Sequence, residues 1–260
     1  MTVSPAPDED ARIHAWITAV VRRHSANLTT QELARAIRAL SARYVERRGD
    51  IGDRSPVDSA GKRAAFAAFY APLHFLTVRQ IVAALGSTRV LRHILDLGCG
   101  TGVASAAWAL GLAPSPKIVG VETLGWAGTE AQWNWRALGL RGRIRRSDFV
   151  EEVSHARMSG AGSGIIAAWS VNELSSDARD RVLPRLLTCV GAGAAVLIVE
   201  PLAHAAAPWW DDWSAAIRHA GGRADAWKFA ADLPPALAEL DRAAGFDRGE
   251  LGARSLWISR

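Results

Sequence analysis

The first third of the chain carries apolar side chains every three or four positions, the spacing of one face of a helix. Thr29 and Glu32 have the spacing of a capping box, which marks the start of a helix. Pro72 lacks a backbone donor and should kink the helix that contains it. We predict helices over residues 8–25, from residue 29, and over residues 60–85, with a loop over residues 49–59.

From residue 90 onward, short apolar runs alternate with helical segments, as in βαβ units with parallel strands. The predicted strands are residues 94–97, 118–121, 144–146, 165–171, 195–199 and 255–259. The predicted helices are residues 103–110, 127–138, 177–190 and 209–220. We therefore expect an α/β fold in which a helical extension or lid over residues 1–88 precedes a doubly wound, mostly parallel sheet over residues 89–260.

Composition narrows the class of protein. A chain of 260 residues with 49% hydrophobic content suits one catalytic domain with an extension. No apolar run approaches the roughly 20 residues that cross a bilayer, and the acidic N-terminus is unlike a signal peptide, so we expect a cytoplasmic protein with no membrane partner. Two isolated cysteines, Cys99 and Cys189, predict neither a disulfide framework nor a metal site.

The main chemical signal is a glycine-rich turn that follows the first predicted strand. Asp96 precedes glycines at positions 98, 100 and 102, and Glu122 ends the next strand. Glycines let the backbone approach a ligand closely, and a carboxylate at the second strand end can accept both ribose hydroxyls. The pattern predicts a site for a nucleoside-bearing cofactor.

The motif Asp96, Gly98, Gly100, Gly102 resembles the first motif of class I, Rossmann-like S-adenosylmethionine-dependent methyltransferases. This resemblance implies a seven-stranded sheet and S-adenosylmethionine as the cofactor. It also implies that Glu122 binds the ribose, that Asp148 and Phe149 hold the adenine, and that Ser170 lies beside the cofactor. Each acid has a structural alternative: Asp96 capping a turn, Glu122 a solvated strand end, and Asp148 a helix N-cap.

The acceptor should meet the carboxyl ends of the fourth and fifth strands. Asn172 and Glu173 follow the fourth strand and Glu200 ends the fifth, and these short strings resemble the small-ribosomal-subunit methyltransferase-like family. That family's cysteine cluster is absent here. Glu173, Asn172 and His74 are the candidate catalytic residues. Glu173 could instead cap the helix that starts near residue 175, and His74 could simply be packed or solvated.

Aromatic residues suggest where the acceptor binds. Trp209 and Trp213 follow Glu200 and lie among acidic residues, and Tyr70 lies near His74 on the third predicted helix. Aromatic walls with carboxylates suit a flat or cationic ligand. Tyr70, Glu200, Trp209 and Trp213 are therefore the candidate substrate-binding residues, although the tryptophans could instead anchor a helix to the sheet.

Positive charge leaves a second interpretation open. The net charge is +5, and four arginines occupy positions 141, 143, 145 and 146. Arginine binds phosphate, but aromatic residues that could stack on bases are scarce nearby, and coding bias also enriches arginine. We expect a methyltransferase for a small aromatic or cationic acceptor; the alternatives are an RNA or ribosome-assembly methyltransferase and a cofactor-binding assembly factor without catalysis.

Overall fold

The structure, a computed structural model, describes residues 7–46, 57, 59–87, 89–154, 160–203 and 207–259. The chain divides into two compact units. The first comprises Met1–Leu76 and Phe229–Leu251, and the second comprises Thr77–Lys228 and Gly252–Arg260. From the sequence we predicted one boundary, at residue 88. The structure instead groups residues 229–251 with the N-terminal helices.

The first unit is helical. Its helices are α1 (Pro7–Ser25), α2 (Thr30–Glu46), α3 (Ala60–Ala65), the start of α4 (Ala71–Leu85) and α10 (Pro235–Ala243). The capping box is confirmed, since the Thr29 amide donates to the Glu32 carboxylate at 2.8 Å and the Glu32 amide donates to Thr29 Oγ1 at 3.2 Å. Trp16 of α1 packs on Phe75 of α4 with ring centroids 4.7 Å apart.

A wide π-helical turn, Phe66–Tyr70, separates α3 from α4. The amide of Ala71 donates to the carbonyl of Phe66, and Pro72, which has no amide hydrogen, follows directly. The irregularity lies where the sequence predicted a kink. By its length of 26 residues and its mean hydropathy of 1.2, the stretch Ala60–Leu85 could cross a membrane, which was not predicted from the sequence. The core helix of a soluble protein meets the same criteria, and 56% of the scored stretch is buried inside the structure.

The sheet lies in the second unit, apart from the last two residues of its sixth strand and the first two of its seventh. Its strands are β1 (His93–Leu97), β2 (Lys117–Val121), β3 (Gly142–Arg145), β4 (Ser163–Ala168), β5 (Ala195–Glu200), β6 (Arg223–Ala230) and β7 (Glu250–Ile258). The strand order is β3-β2-β1-β4-β5-β7-β6. The first five strands pair in parallel, and β7 runs antiparallel to β5. The prediction of a mostly parallel, seven-stranded α/β sheet is confirmed.

Helices cover both faces of the sheet. They are α5 (Val103–Leu110), α6 (Gly125–Ala137), α7 (Phe149–Ser154), α8 (Ser176–Gly191) and α9 (Trp210–His219). On one face, a side chain at Gly142 or Gly164 would collide with Trp135 of α6 or Trp108 of α5. On the other face, Leu95 and its neighbours share a core with residues of α7, α8 and α9. This arrangement is a doubly wound sheet.

Several predicted boundaries were wrong. Strand β4 ends at Ala168, not at residue 171, because a short 3-10 turn, Val171–Glu173, follows it. The last strand begins at Glu250 and not at residue 255. Strand β6 and helix α10 were not predicted. In β6, partly buried residues are interspersed with exposed ones, so the apolar signal of a buried strand is missing.

Candidate active site

The candidate site lies at the carboxyl ends of β1 and β4. The chain goes from β1 to β2 on one side and returns to β4 on the other, so the strand order reverses between these two neighbours. In open α/β sheets, ligands bind in the crevice at such a switch point. The Ser170 hydroxyl donates to the Leu97 carbonyl at 2.9 Å and so ties the two strand ends together.

The glycine loop has one open position and one packed position. Gly100 has a φ of +51°, and a Cβ added there would meet no atom of the described residues within 4 Å. Gly102 has a φ of +73°, and its Cβ would lie 2.7 Å from Cε2 of Trp135. Gly102 is therefore required by the packing of α6, whereas Gly100 leaves space beside the backbone for a ligand.

Glu122 lies against this loop. Its Oε2 accepts a hydrogen bond from the Gly100 amide at 2.9 Å, and its Oε1 accepts one from the Leu124 amide at 2.8 Å. Each carboxylate oxygen has a further lone pair, so two hydroxyl donors could still bind. The side chain is thus fixed in place by the backbone and is not simply a solvated strand end.

Asp96 is buried beneath the loop, with 1% of its surface exposed. It accepts a hydrogen bond from the Ser105 amide in the first turn of α5, at 3.3 Å. Burial raises the pKa of this carboxyl to about 7, and the nearby charge of Glu122 acts in the same direction. Asp96 therefore connects the start of α5 to β1. This contact agrees with the structural alternative given above, in which Asp96 caps a turn.

The predicted adenine residues lie at the start of α7. Asp148 is exposed, and its Oδ1 accepts hydrogen bonds from the Val150 and Glu151 amides at 2.8 Å and 3.2 Å. It therefore caps α7, the alternative given above, and its second oxygen has no hydrogen bond within the described part of the chain. Phe149 is buried beside the loop, since a Cβ at Gly98 would lie 3.7 Å from Phe149 Cδ1.

Two residues of α6 support the loop and were missed as functional residues. The Asn134 side-chain amide donates to the Thr101 carbonyl at 2.9 Å, and the Trp135 indole donates to the Gly102 carbonyl at 2.8 Å. Both side chains are buried. The only signal in the sequence was the density of tryptophan after Glu122, which did not distinguish a loop support from a core residue.

Glu200, at the end of β5, is fully buried, with 0% of its surface exposed. Its Oε1 accepts hydrogen bonds from the amides of Val171 and Asn172 at 3.1 Å and 3.2 Å. Its Oε2 is buried without a partner among the residues described. Burial raises the pKa of this carboxyl from 4.5 to about 8, although the two amides and Arg254 act in the opposite direction.

The loop after β4 presents Asn172 and Glu173. Asn172 Oδ1 is also buried and has no hydrogen-bond partner within the described ranges, whereas Glu173 is exposed. The N-cap of α8 is Ser175, whose hydroxyl accepts from the Ala178 amide at 3.2 Å. Glu173 is therefore not the side-chain cap of this helix, and its catalytic role stays a prediction.

Trp169 precedes this loop in a strained conformation that the sequence could not reveal. Its φ of +54° lies in the left-handed region that a bulky residue rarely adopts. Its amide donates to the Val199 carbonyl at 2.8 Å. Such strain persists only where the surroundings impose it, and it tends to occur at functional sites.

The tryptophans after β5 are core residues. Trp209 and Trp213 are 8% and 3% exposed, with ring centroids 4.8 Å apart. Both join the hydrophobic core on the α7–α9 face, as the anchoring alternative supposes. Trp209 Nε1 has no hydrogen-bond partner in the part of the chain that is described. The role of Trp209 in binding an acceptor remains a prediction. The burial of Trp213 favours the anchoring role.

Arg254 was not predicted as a site residue. It lies in the first half of β7, before residue 255, where the predicted strand began. It is the cross-strand neighbour of Glu200, and its Nε donates to the Pro201 carbonyl at 2.9 Å. Its guanidinium carbon lies 4.5 Å from the ring centroid of Trp210. Burial lowers the pKa of Arg254, and Glu200 and Asp211 oppose that effect.

His74 and Tyr70 belong to the first unit. Burial lowers the pKa of His74 to about 3, with Arg248 adding to the effect, so the imidazole is neutral at physiological pH. The Tyr70 hydroxyl donates to the Ile37 carbonyl at 3.3 Å, and burial raises its pKa. These contacts give both residues packing roles, and their proposed functions stay predictions. Over the described ranges, no group of three or more potential metal ligands was found.

No known family model and no curated protein matches this chain. Solved structures do. A candidate O-methyltransferase from Nostoc punctiforme matches with a TM-score of 0.53 and 12% identity, covering 92% of this chain and 72% of that one. An O-methyltransferase family protein from Burkholderia thailandensis matches with a TM-score of 0.51 and 14% identity, covering 78% and 60%. The fold is therefore that of the Rossmann-like methyltransferases, as the glycine motif led us to expect.

Proposed function

We propose that this chain is an S-adenosylmethionine-dependent methyltransferase that acts on a small aromatic or cationic acceptor. The observation that carries the proposal is the open side of the glycine loop at Gly100, next to the fixed carboxylate of Glu122. This open position lies at a strand switch point, where ligands bind in open α/β sheets. The fold of the two methyltransferase neighbours supports the same assignment.

The chain's own residues fit this cofactor. Space beside Gly100 would take its amino-acid end, Glu122 would accept the ribose hydroxyls, and Asp148 with Phe149 would hold the adenine. Bound S-adenosylmethionine supplies a methyl group on a positively charged sulfur. The protein then needs to align a nucleophile with that methyl group and to accept a proton when the nucleophile carries one.

Polar groups after β4 and β5 would bind the acceptor. The raised pKa of Glu200 makes it a hydrogen-bond donor at neutral pH, and Asn172 Oδ1 is an acceptor. Both atoms are buried and unpaired among the described residues, and buried polar groups are normally paired, so a polar substituent that displaced the loop after β4 would satisfy them. The exposed carboxylate of Glu173, on the same loop, would take the proton.

Calorimetry with S-adenosylmethionine tests the cofactor site. Gly100→Leu should abolish measurable binding, because the new side chain fills the ligand's space. Gly86→Leu is the matched control, since Gly86 has a φ of +60° and a Cβ there also meets nothing within 4 Å. Both variants carry the same backbone strain, of about 1–2 kcal/mol, but only Gly100 faces the site. Equal affinity in the two variants would reject the assignment.

Transfer of a labelled methyl group to a panel of acceptors tests the substrate class. We expect labelling of a small aromatic or cationic compound. Labelling of RNA alone would favour the RNA methyltransferase instead. Tight cofactor binding with no transfer to either class would favour an assembly factor without catalysis.

A further inference from the structure

A basic cavity of about 620 Å³ lies at the amino-terminal edge of the sheet, where the strands begin. The glycine loop lies at the other edge, where β1 ends. The basic residue types that line the cavity come from three neighbouring strands: His93 of β1, Lys117 of β2, and Arg141 and Arg143 at β3. The cavity is therefore separate from the candidate active site.

The strand register places these side chains on one face of the sheet. His93 pairs with Lys117, and Val119, two residues further along β2, pairs with Arg143. Paired residues of parallel strands point to the same side, as do residues two apart on one strand. Arg141 precedes Arg143 by two positions and also lines the cavity. Four basic groups thus converge across about 10 Å, the width of three strands.

Their charge is not neutralised locally. Among the residues that the structure describes, none of those lining the cavity is acidic, and Lys117, Arg141 and Arg143 form no ion pair with any of them. By contrast, Arg145, on the same face of β3, forms an ion pair with the buried carboxylate of Glu152. Arg146 donates to the Thr123 carbonyl at 3.3 Å. Arg145 and Arg146 therefore make contacts within the fold, whereas Arg141 and Arg143 line the cavity.

We propose that this cavity binds a ligand that carries several phosphate groups. Its volume lies within the roughly 300–1,000 Å³ of small-molecule sites. The planar guanidinium groups of Arg141 and Arg143 can each bind two phosphate oxygens, and Lys117 adds a compact charge. The cations of two neighbouring strands, with the His93 imidazole of a third strand beside them, suit successive phosphates better than a single carboxylate. This chemistry is shared by free polyphosphates and by a nucleic-acid backbone.

Binding is measured with two probes, inorganic tripolyphosphate and a fluorescently labelled single-stranded oligoribonucleotide. The cavity variant is K117Q/R143Q. The matched control is R181Q/R185Q on the exposed side of α8, which removes the same charge outside the cavity. The cavity variant should weaken binding at least about tenfold, the effect of losing a charge-assisted hydrogen bond, and the control should change it less than about twofold.

The two probes distinguish the source of the phosphates. If the oligonucleotide binds and its affinity falls steeply with salt, the ligand is a strand; if only tripolyphosphate binds, it is a small phosphorylated molecule. The proposal is overturned if wild-type protein binds neither probe, or if the control loses as much affinity as the cavity variant. If K117Q/R143Q has a lowered melting temperature, Arg143→Gln alone on the edge strand β3 is judged by the same criteria. The assay needs no cofactor, so it is independent of methyl transfer.

Discussion

Glu200 is a buried carboxyl group whose pKa is raised from 4.5 to about 8, mainly by burial. Replacing it by glutamine keeps the shape and the carbonyl-type oxygen that accepts from Val171 and Asn172, but removes the ionisable proton. At low pH, where Glu200 is protonated in both the folded and the unfolded chain, the wild type and Glu200→Gln should therefore have similar stability.

The sign of the pH dependence follows from proton uptake. Between pH 4.5 and about pH 8 the unfolded chain has lost this proton and the folded chain has kept it, so the wild type becomes less stable as pH rises. Each pH unit in that window is worth about 1.4 kcal/mol. From about pH 5.5 to about pH 8, Glu200→Gln should gain on the order of 3 kcal/mol relative to the wild type.

Urea unfolding of both proteins at the two pH values measures this difference. Asp96 also has a raised pKa, but it is present in both proteins and its effect cancels. Glu151→Gln, at an exposed carboxyl group, is the control for the loss of one ionisable side chain. A constant difference between the wild type and Glu200→Gln across this window would refute the reasoning, because it would mean that Glu200 ionises in the folded protein as it does in water.

Three further predictions concern the site. Glu122→Ala should weaken S-adenosylmethionine binding about tenfold or more in calorimetry, since two hydroxyl acceptors are lost, whereas Glu151→Ala should not. Glu173→Gln should preserve cofactor affinity and melting temperature while lowering turnover by roughly 10²–10⁴-fold; unchanged turnover would exclude a general base. Chelation should leave folding and turnover unchanged, and stoichiometric zinc or iron in the purified protein would contradict this.

The buried strands of the sheet could be predicted because they are continuous apolar runs. The sequence around β1, for example, combines such a run with the glycine turn, and both lie where they were expected. Strand β6 could not be predicted, because an edge strand with Arg223 and Asp225 on one face and Lys228 on the other has no consistent apolar face. The grouping of residues 229–251 with the N-terminal helices depends on contacts far apart in sequence, which periodicity does not encode.

The site could be predicted only where a motif fixes it locally. Asp96, the glycines and Glu122 lie within one βαβ unit, so their spacing carries the geometry. The support of the loop by Asn134 and the neighbourhood of Glu200 and Arg254 depend on strand pairing and helix packing. Trp169 has an unusual backbone conformation that no local sequence preference indicates, because tryptophan is not favoured at positive φ.

The charges of Glu200 at the end of β5 and of Arg254 on β7 bear on whether the proposed acceptor is a neutral aromatic molecule or a cation. Arg254 lies over Trp210 at 4.5 Å, so the guanidinium already occupies a ring face that could have attracted a cationic acceptor. With a pKa of about 8, Glu200 is mainly neutral at physiological pH and offers such an acceptor no negative charge. Asp211 offsets part of the Arg254 charge but lies on the exposed side of α9. On the function proposed above, these charges would suit a neutral aromatic acceptor better than a cationic one, with its polar substituent bound by Glu200 and Asn172.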